Sequence, residues 1–342
     1  MAVINLFKNI LYIYQLMNRE VRKYMIWFPF LCLTIGLIVG IQNLSDSTLK
    51  VVDLVVNIAL IGLMITIGAN VGTNNSIMSN LGTIGLNCVI ISLFAIACSA
   101  FFTVLIEKTI LPLEEISRKL SSEKINVNDE VNILQEEKKK ISPLIWIMPI
   151  SIIVGVIFGS TMLPNNLIFV LDYALTIFLM ILYTSVGISL GSNRRIFNYI
   201  KVLGWKIIFL SIAIFTGSIM AGILSGIILK IPLHISVIAS SGMSYYSVTG
   251  AYMTQMYGAE IGTYGFIVNV MREFFTVLFL PILIKISKGS PIAGGAAGNM
   301  DTMLVPVTKF VGPELGLIAL ITGTILTFIV PVILPILYNF FS

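Results

Sequence analysis

The segments "IGANVGTNNSI" (67–77) and "VGISLGSNRRI" (186–196) lie 119 residues apart, and in that register Gly68, Gly72, Asn74 and Ile77 fall on Gly187, Gly191, Asn193 and Ile196. The same offset carries Trp27 onto Trp146, Gly36 onto Gly155, Gly40 onto Gly159, Asp53 onto Asp172 and Gly85 onto Gly204. Coincidences between apolar segments favour leucine and isoleucine, whereas these are tryptophan, glycine, aspartate and asparagine. The chain therefore contains a duplication. Each copy, 25–113 and 143–233, holds three apolar runs of the roughly 18 residues or more that cross a bilayer as a helix. Three is odd, so the second copy enters the membrane from the side opposite the first, which makes an inverted repeat.

Composition agrees with a multi-pass membrane protein. The 342 residues are 57% hydrophobic and 11% charged, against roughly 25% charged in a soluble domain. Apolar runs recur at 25–43, 51–70, 84–106, 144–163, 166–190, 206–229, 261–284 and 314–340, which predicts eight spans. The net charge of +5 is a modest excess carried in loops and has no interleaved aromatics; it orients the chain in the bilayer rather than binding nucleic acid. Cys32, Cys88 and Cys98 sit in apolar runs, and His234 is the single histidine. This pattern supports neither a disulfide framework nor a metal site, and no cofactor is expected. Residues 1–24 lack a small-residue cleavage site and carry Lys8 in mid-segment, so they read as an interfacial amphipathic helix.

Between the two copies, 107–142 holds 15 charged residues, Pro112 and the run "QEEKKK". From 114 to 142 this is a solvated linker. The C-terminal third hides a second duplication at an offset of 54, in which "TQMYGAEIG" (254–262) falls on "TKFVGPELG" (308–316) and "LPILI" (280–284) on "LPILY" (334–338). In both units, 234–287 and 288–342, a polar, glycine-broken stretch precedes one long apolar run. Irregular backbone at membrane depth is tolerated only where protein buries it or it lines a watery cavity. Both stretches, 237–257 and 289–310, are therefore predicted to be re-entrant hairpins. The expected fold is all-α: eight spans and two hairpins, built as three plus three spans followed by two inverted hairpin-plus-helix units. With both termini outside, the inner loops hold fourteen Lys and Arg and the outer side five, so N-out and C-out is the expected orientation.

The seventh run carries opposite charges in its middle, "VNVMREFFTVLFLPILI" (268–284). On a helix Gly265, Asn269, Arg272, Glu273 and Thr276 form one stripe, so both charges face an interior rather than lipid, where each would cost about 2.5–3.5 kcal/mol. One reading makes them a structural pair that fixes helix packing, although adjacent helical residues point about 100° apart. The functional reading makes Glu273 a proton carrier whose charge Arg272 tunes. Asp301, beside Met300 in "GNMDTM" of the second hairpin, is a further intramembrane acid and a candidate helix cap. Tyr245, Tyr246, Ser247 and Thr249 put hydroxyls and aromatic faces on the first hairpin, where tyrosine can bond a carboxylate or stack on an ammonium. Asp53 and Asp172 begin two spans, and Asn74 and Asn193 end glycine-rich stretches. These four are secondary candidates beside boundary and capping roles.

At "ASSGMSYYSVTG" (239–250), "NVMRE" (269–273) and "GNMDTMLVP" (298–306) the sequence resembles the bacterial lysine exporter family LysO, and the resemblance extends from about Trp27 to the C-terminus. It implies an inner-membrane protein that exports L-lysine and the analogue thialysine against protons, using intramembrane acids, with Glu273 at the acid of the family's Asn-x-x-Arg-Glu motif. One departure stands out: where the family has an acid after the first glycine stretch, this chain reads Asn74-Asn75. On the resemblance, Tyr245, Tyr246, Ser247, Thr249, Asn269, Met300 and Asp301 are expected around the substrate. The backbone amides of Ser241–Ser244 and Ala297–Asn299 are expected on its carboxylate, and Glu273, Arg272 and Asp301 on the proton.

Alternatives stay open at this point. Sodium could replace the proton, another small amino acid or organic ion could replace lysine, and a homodimer is compatible with the sequence. An intramembrane hydrolase built on Asp53 and Asp172 or on Ser244 lacks any accompanying GxGD or GxSG motif, and a passive channel lacks a filter sequence, so no enzyme is expected.

Overall fold

The computed structural model describes residues 31–42, 44–73, 75–114, 144–163, 168–192 and 205–341. The expected N-terminal helix (1–24), the linker beyond Glu114, Asn74 and Asn193 lie outside the described residues. Among the described residues all regular structure is helical. Each of the eight apolar runs carries a helix. Five of these are long and apolar enough to cross a membrane, at Ser47–Gly72, Gly82–Thr109, Ile207–Leu229, Ala259–Ile286 and Pro313–Phe341. Shorter apolar helices occupy Leu31–Ile41, Ile150–Thr161 and Tyr173–Ile188.

In chain order the elements are α1 (Leu31–Ile41), α2 (Asp46–Gly72), α3 (Asn75–Thr109), α4 (Leu144–Thr161), α5 (Ile168–Ser192) and α6 (Ile207–Leu229). Then follow α7 (Leu233–Ser240), α8 (Tyr246–Tyr257), α9 (Ala259–Ile286), α10 (Ser290–Gly295), a 3-10 turn (Ala296–Met300), α11 (Leu304–Val311) and α12 (Pro313–Phe341).

Glycine decides how the first six helices pack. A β-carbon at Gly36 or Gly40 would collide with the carbonyl oxygen of Thr184 or Ile188, and one at Gly187 or Gly191 with that of Leu33 or Leu37. Helices α1 and α5 thus touch backbone to backbone. Gly68 and Gly72 on α2 meet Ile152 and Val156 on α4 in the same way, with Gly155 and Gly159 answering from α4. Shifting the first contact by 119 residues gives the second, because 36 goes to 155 and 68 goes to 187. The third helices of the two halves, α3 and α6, also pack together, with Ser99 Oγ 3.2 Å from Ser218 Oγ, again 119 residues apart. Small residues let helix backbones approach closely where no hydrophobic drive separates helix from lipid.

The two predicted hairpins are pairs of short helices, α7 with α8 and α10 with α11. Helix α6 ends at Lys230, whose φ of 54° reverses the chain, and Pro232 blocks its continuation. Each hairpin joins its long helix through one glycine, Gly258 (φ 92°, ψ 172°) before α9 and Gly312 (φ 91°, ψ 163°) before α12. That backbone region is essentially reserved for glycine, and the two positions are 54 residues apart.

Candidate functional site

Of the stripe predicted on α9, Gly265, Asn269, Arg272 and Thr276 are buried and Glu273 is half-buried, while Phe274, Val277 and Leu278 on the opposite face are exposed. Asn269 and Arg272, one helical turn apart, each hold one hairpin. The Asn269 Nδ2 donates to the Ala239 carbonyl (2.9 Å), and its Oδ1 accepts from the Ser244 amide (2.8 Å). The Arg272 Nη2 donates to the Ala293 carbonyl (3.0 Å) and its Nε to the Gly294 carbonyl (3.3 Å). Ala239 and Ala293 are 54 residues apart, so one helix grips equivalent carbonyls of the two hairpins.

The hairpin tips meet. The Ala297 amide donates to the Met243 carbonyl at 2.9 Å, and Met243, Ser244 and Ala296 take positive φ values of 49°, 70° and 48°. For residues with side chains, such backbone costs about 1–3 kcal/mol each and persists only where its surroundings enforce it. The amides expected to face the substrate carboxylate are instead largely committed within the protein: Ser241, Gly242, Met243 and Ser244 donate to Val237, Ala239, Ser240 and Asn269, and Ala297 to Met243. The Ser241 and Ser244 hydroxyls are buried without a partner.

Around this junction the structure gathers Tyr245, Tyr246, Glu273 and Asp301. Thr302 Oγ1 donates to Glu273 Oε1 at 3.0 Å, and a β-carbon at Gly298 would stand 2.7 Å from that oxygen. Gly298 therefore makes room for the carboxylate. Tyr246 lies within electrostatic reach of Glu273, Asp301 and Tyr245, and its ring is held edge-on against Phe266 at 5.6 Å. Tyr245 lies within reach of Asp301 and of Tyr183 on α5. Glu273 is half-buried and Asp301 exposed. Met300 lies on the 3-10 turn, whose backbone is packed on Gly323 of α12.

Other candidates stand apart. Arg272 does not turn to Glu273: besides the two carbonyls, its Nη1 donates to Ser218 Oγ (2.9 Å) and its Nη2 to Ser99 Oγ (3.0 Å). Adjacent positions on a helix diverge, and the guanidinium went to the side with more acceptors. Thr249 spends its hydroxyl on the Tyr245 carbonyl (2.9 Å), and Ser247 is buried beside it on α8. Asp53 falls within α2 and Asp172 within α5, with side chains outside what the structure describes. Thr302, Tyr183, Ser99 and Ser218 were not singled out from sequence. The serines carried a signal, since extending the 119-residue register onto α3 and α6 pairs them.

Helices too apolar for water, around a polar centre assembled from the tips of broken helices with a half-buried acid, define a multi-pass membrane protein. The chain belongs to the lysine exporter LysO family, whose sequence signature matches residues 30–118 and 149–338. It is 29% identical over 164 residues to the protein named "Lysine exporter LysO" of Escherichia coli (strain K12), covering 48% of this chain and 53% of that one. It is 26% identical over 129 residues to the "Putative lysine exporter" of Haemophilus influenzae (strain ATCC 51907 / DSM 11121 / KW20 / Rd), covering 37% of this chain and 66% of that one. The matches thus span about half to two thirds of the curated relatives' length. No solved structure matches the chain.

Proposed function

We propose that the protein is a secondary active exporter of L-lysine and similar cationic amino acids such as thialysine, exchanging substrate for protons by alternating access in the inner membrane. The observation that carries the reading is the meeting of both hairpin tips beside Glu273, Asp301, Tyr245 and Tyr246. Carboxylates and tyrosine faces suit ammonium groups, and the free hydroxyls of Ser241 and Ser244 suit the substrate's carboxylate in place of the committed amides. Glu273 suits the proton as the acid of α9 that reaches the hairpin junction, where the Thr302 hydroxyl donates to it and Gly298 leaves it room. Contacts exchanged by offsets of 119 and 54 support two nested inverted repeats, and such repeats supply two equivalent arrangements around one central site.

Eight spans with both termini outside follow from the lysine and arginine distribution. Cysteines placed in 114–142 should then react with an impermeant maleimide only after the membrane is opened; labelling of intact cells would reverse the orientation. The function itself is tested in proteoliposomes loaded with labelled lysine. Efflux should accelerate under an imposed pH gradient and ignore an imposed sodium gradient. Acceleration by sodium alone would replace the coupling ion, and no efflux under either would remove lysine as the substrate.

A further inference from the structure

Arg272 is a full positive charge with 0% exposure, and all four of its hydrogen bonds end on neutral oxygens: the carbonyls of Ala293 and Gly294 and the hydroxyls of Ser99 and Ser218. A buried charge carries a desolvation cost of several kcal/mol, and pairing with a carboxylate is its usual offset. Glu273 is the adjacent residue, and the guanidinium is spent elsewhere. A role as half of an ion pair therefore does not account for it.

The acceptors point to another role. In transporters with broken helices, the unwound carbonyls and the C-terminal ends of half-helices take up the coupling cation. Here such an end is the C-terminus of α10, and the cation on its carbonyls is a side chain of the same protein. The two remaining acceptors come from the third helix of each half, at equivalent positions whose oxygens are 3.2 Å apart. A small cation between two hydroxyls and two carbonyls has a set of hard oxygen ligands; the planar, permanently charged guanidinium serves the same acceptors with directed N–H groups. The first hairpin supplies the internal comparison. Its equivalent carbonyl, Ala239, is held by the neutral amide of Asn269, so only the second hairpin is tied by charge.

We infer that the Ser99–Ser218–Ala293–Gly294 cluster is a monovalent-cation site whose resident ion is the tethered guanidinium of Arg272, and that this tether makes the transport cycle independent of sodium. A bound sodium must arrive and leave with each cycle, coupling transport to its gradient. A tethered cation does neither. The inference deepens the proposed exporter reading by assigning why protons, carried by Glu273, are left as the coupling ion.

The test removes the tether and offers the ion back. Wild-type, Arg272→Ala and Arg272→Lys proteins are purified, and their melting temperatures and lysine efflux are measured in choline, sodium and low guanidinium media. The wild type should melt and transport alike in all three. Arg272→Ala should melt lower in choline, regain much of the difference with guanidinium or sodium, and recover efflux several-fold with the same ions. Arg272→Lys, which keeps a tethered charge with fewer donors, should fold, transport more slowly and ignore sodium, and it stands in if Arg272→Ala does not fold. Overturning results are Arg272→Ala as active and stable as wild type in choline, no response of its melting temperature to either cation, a wild type accelerated by sodium, or an Arg272→Lys protein that sodium stabilises. The melting readout separates this inference from the substrate reading: cation-specific recovery of Arg272→Ala with no lysine efflux from any variant would keep the site and discard lysine.

Discussion

On the proposed mechanism, a single proton at Glu273 separates two kinds of transport. Glu273→Gln keeps the side chain's size and keeps an oxygen for the Thr302 hydroxyl, now at 3.0 Å, but it cannot give or take a proton. Lysine efflux driven by a pH gradient should therefore fall to background, while exchange of internal for external lysine, which moves no net proton, should survive. Equal pH-driven efflux in Glu273→Gln and wild type would leave the residue a packing element. Asp301→Asn should weaken both modes together, because it removes the proposed ammonium partner, and unchanged export and thialysine resistance would take Asp301 out of the site. Gly298→Ala should impair both as well, since its β-carbon would stand 2.7 Å from the Glu273 carboxylate. Sequence marked Glu273, Asp301 and the two tyrosines as candidates, because charge in an apolar run and hydroxyls in a glycine-broken stretch are costly unless used, and the structure gathers them at one junction. Sequence did not reveal which way Arg272 turns. That depends on serines from helices far away in the chain, and neighbouring residues on one helix carry no record of them.

The elements depend on glycines of two kinds, and the kinds fail differently. Gly258 and Gly312 hold a backbone conformation closed to other residues, with φ of 92° and 91°. Alanine at either should cost about 1–3 kcal/mol of strain, read as a lower melting temperature and a looser hairpin in hydrogen exchange; an unchanged melting temperature in both would show that the junction can relax. Gly68 and Gly155 have ordinary helical backbone but stand against carbonyl oxygens of the facing helix. Alanine at either forces α2 and α4 apart, with an overpacking cost of about 1–3 kcal/mol and loss of a monodisperse purified protein as the measurable result. The two offsets, 119 and 54, are legible in the sequence, because glycine, tryptophan and aspartate seldom align by accident in apolar segments. Which glycine faces which is not. An offset of 119 relates Gly36 to Gly155, yet Gly36 meets Gly187, because symmetry names equivalent places and packing pairs different ones.

Charge summed over the whole polar centre sets the stoichiometry to expect. In the proposed cycle, the lysine-bound site combines the formal charges of two acidic residues, Glu273 and Asp301, with the fixed cation Arg272 and a substrate of net charge +1, which sum to zero. After lysine leaves and Glu273 takes a proton, Asp301 and Arg272 again sum to zero. Both forms that cross between the two faces are then neutral, so neither leg does work against the membrane field. A carrier returning with one uncompensated charge would feel about 2.3 kcal/mol per 100 mV. The proposed exporter should therefore exchange one lysine for one proton, unaffected by voltage. One pH unit is worth about 1.4 kcal/mol, so it should sustain about a tenfold lysine gradient. In proteoliposomes, the logarithm of the lysine gradient at rest should rise with the pH difference at a slope near one, and a potassium diffusion potential imposed at equal pH should leave that gradient flat. A slope near two, or lysine moved by voltage alone, would overturn the one-for-one exchange and mean that the returning carrier is charged.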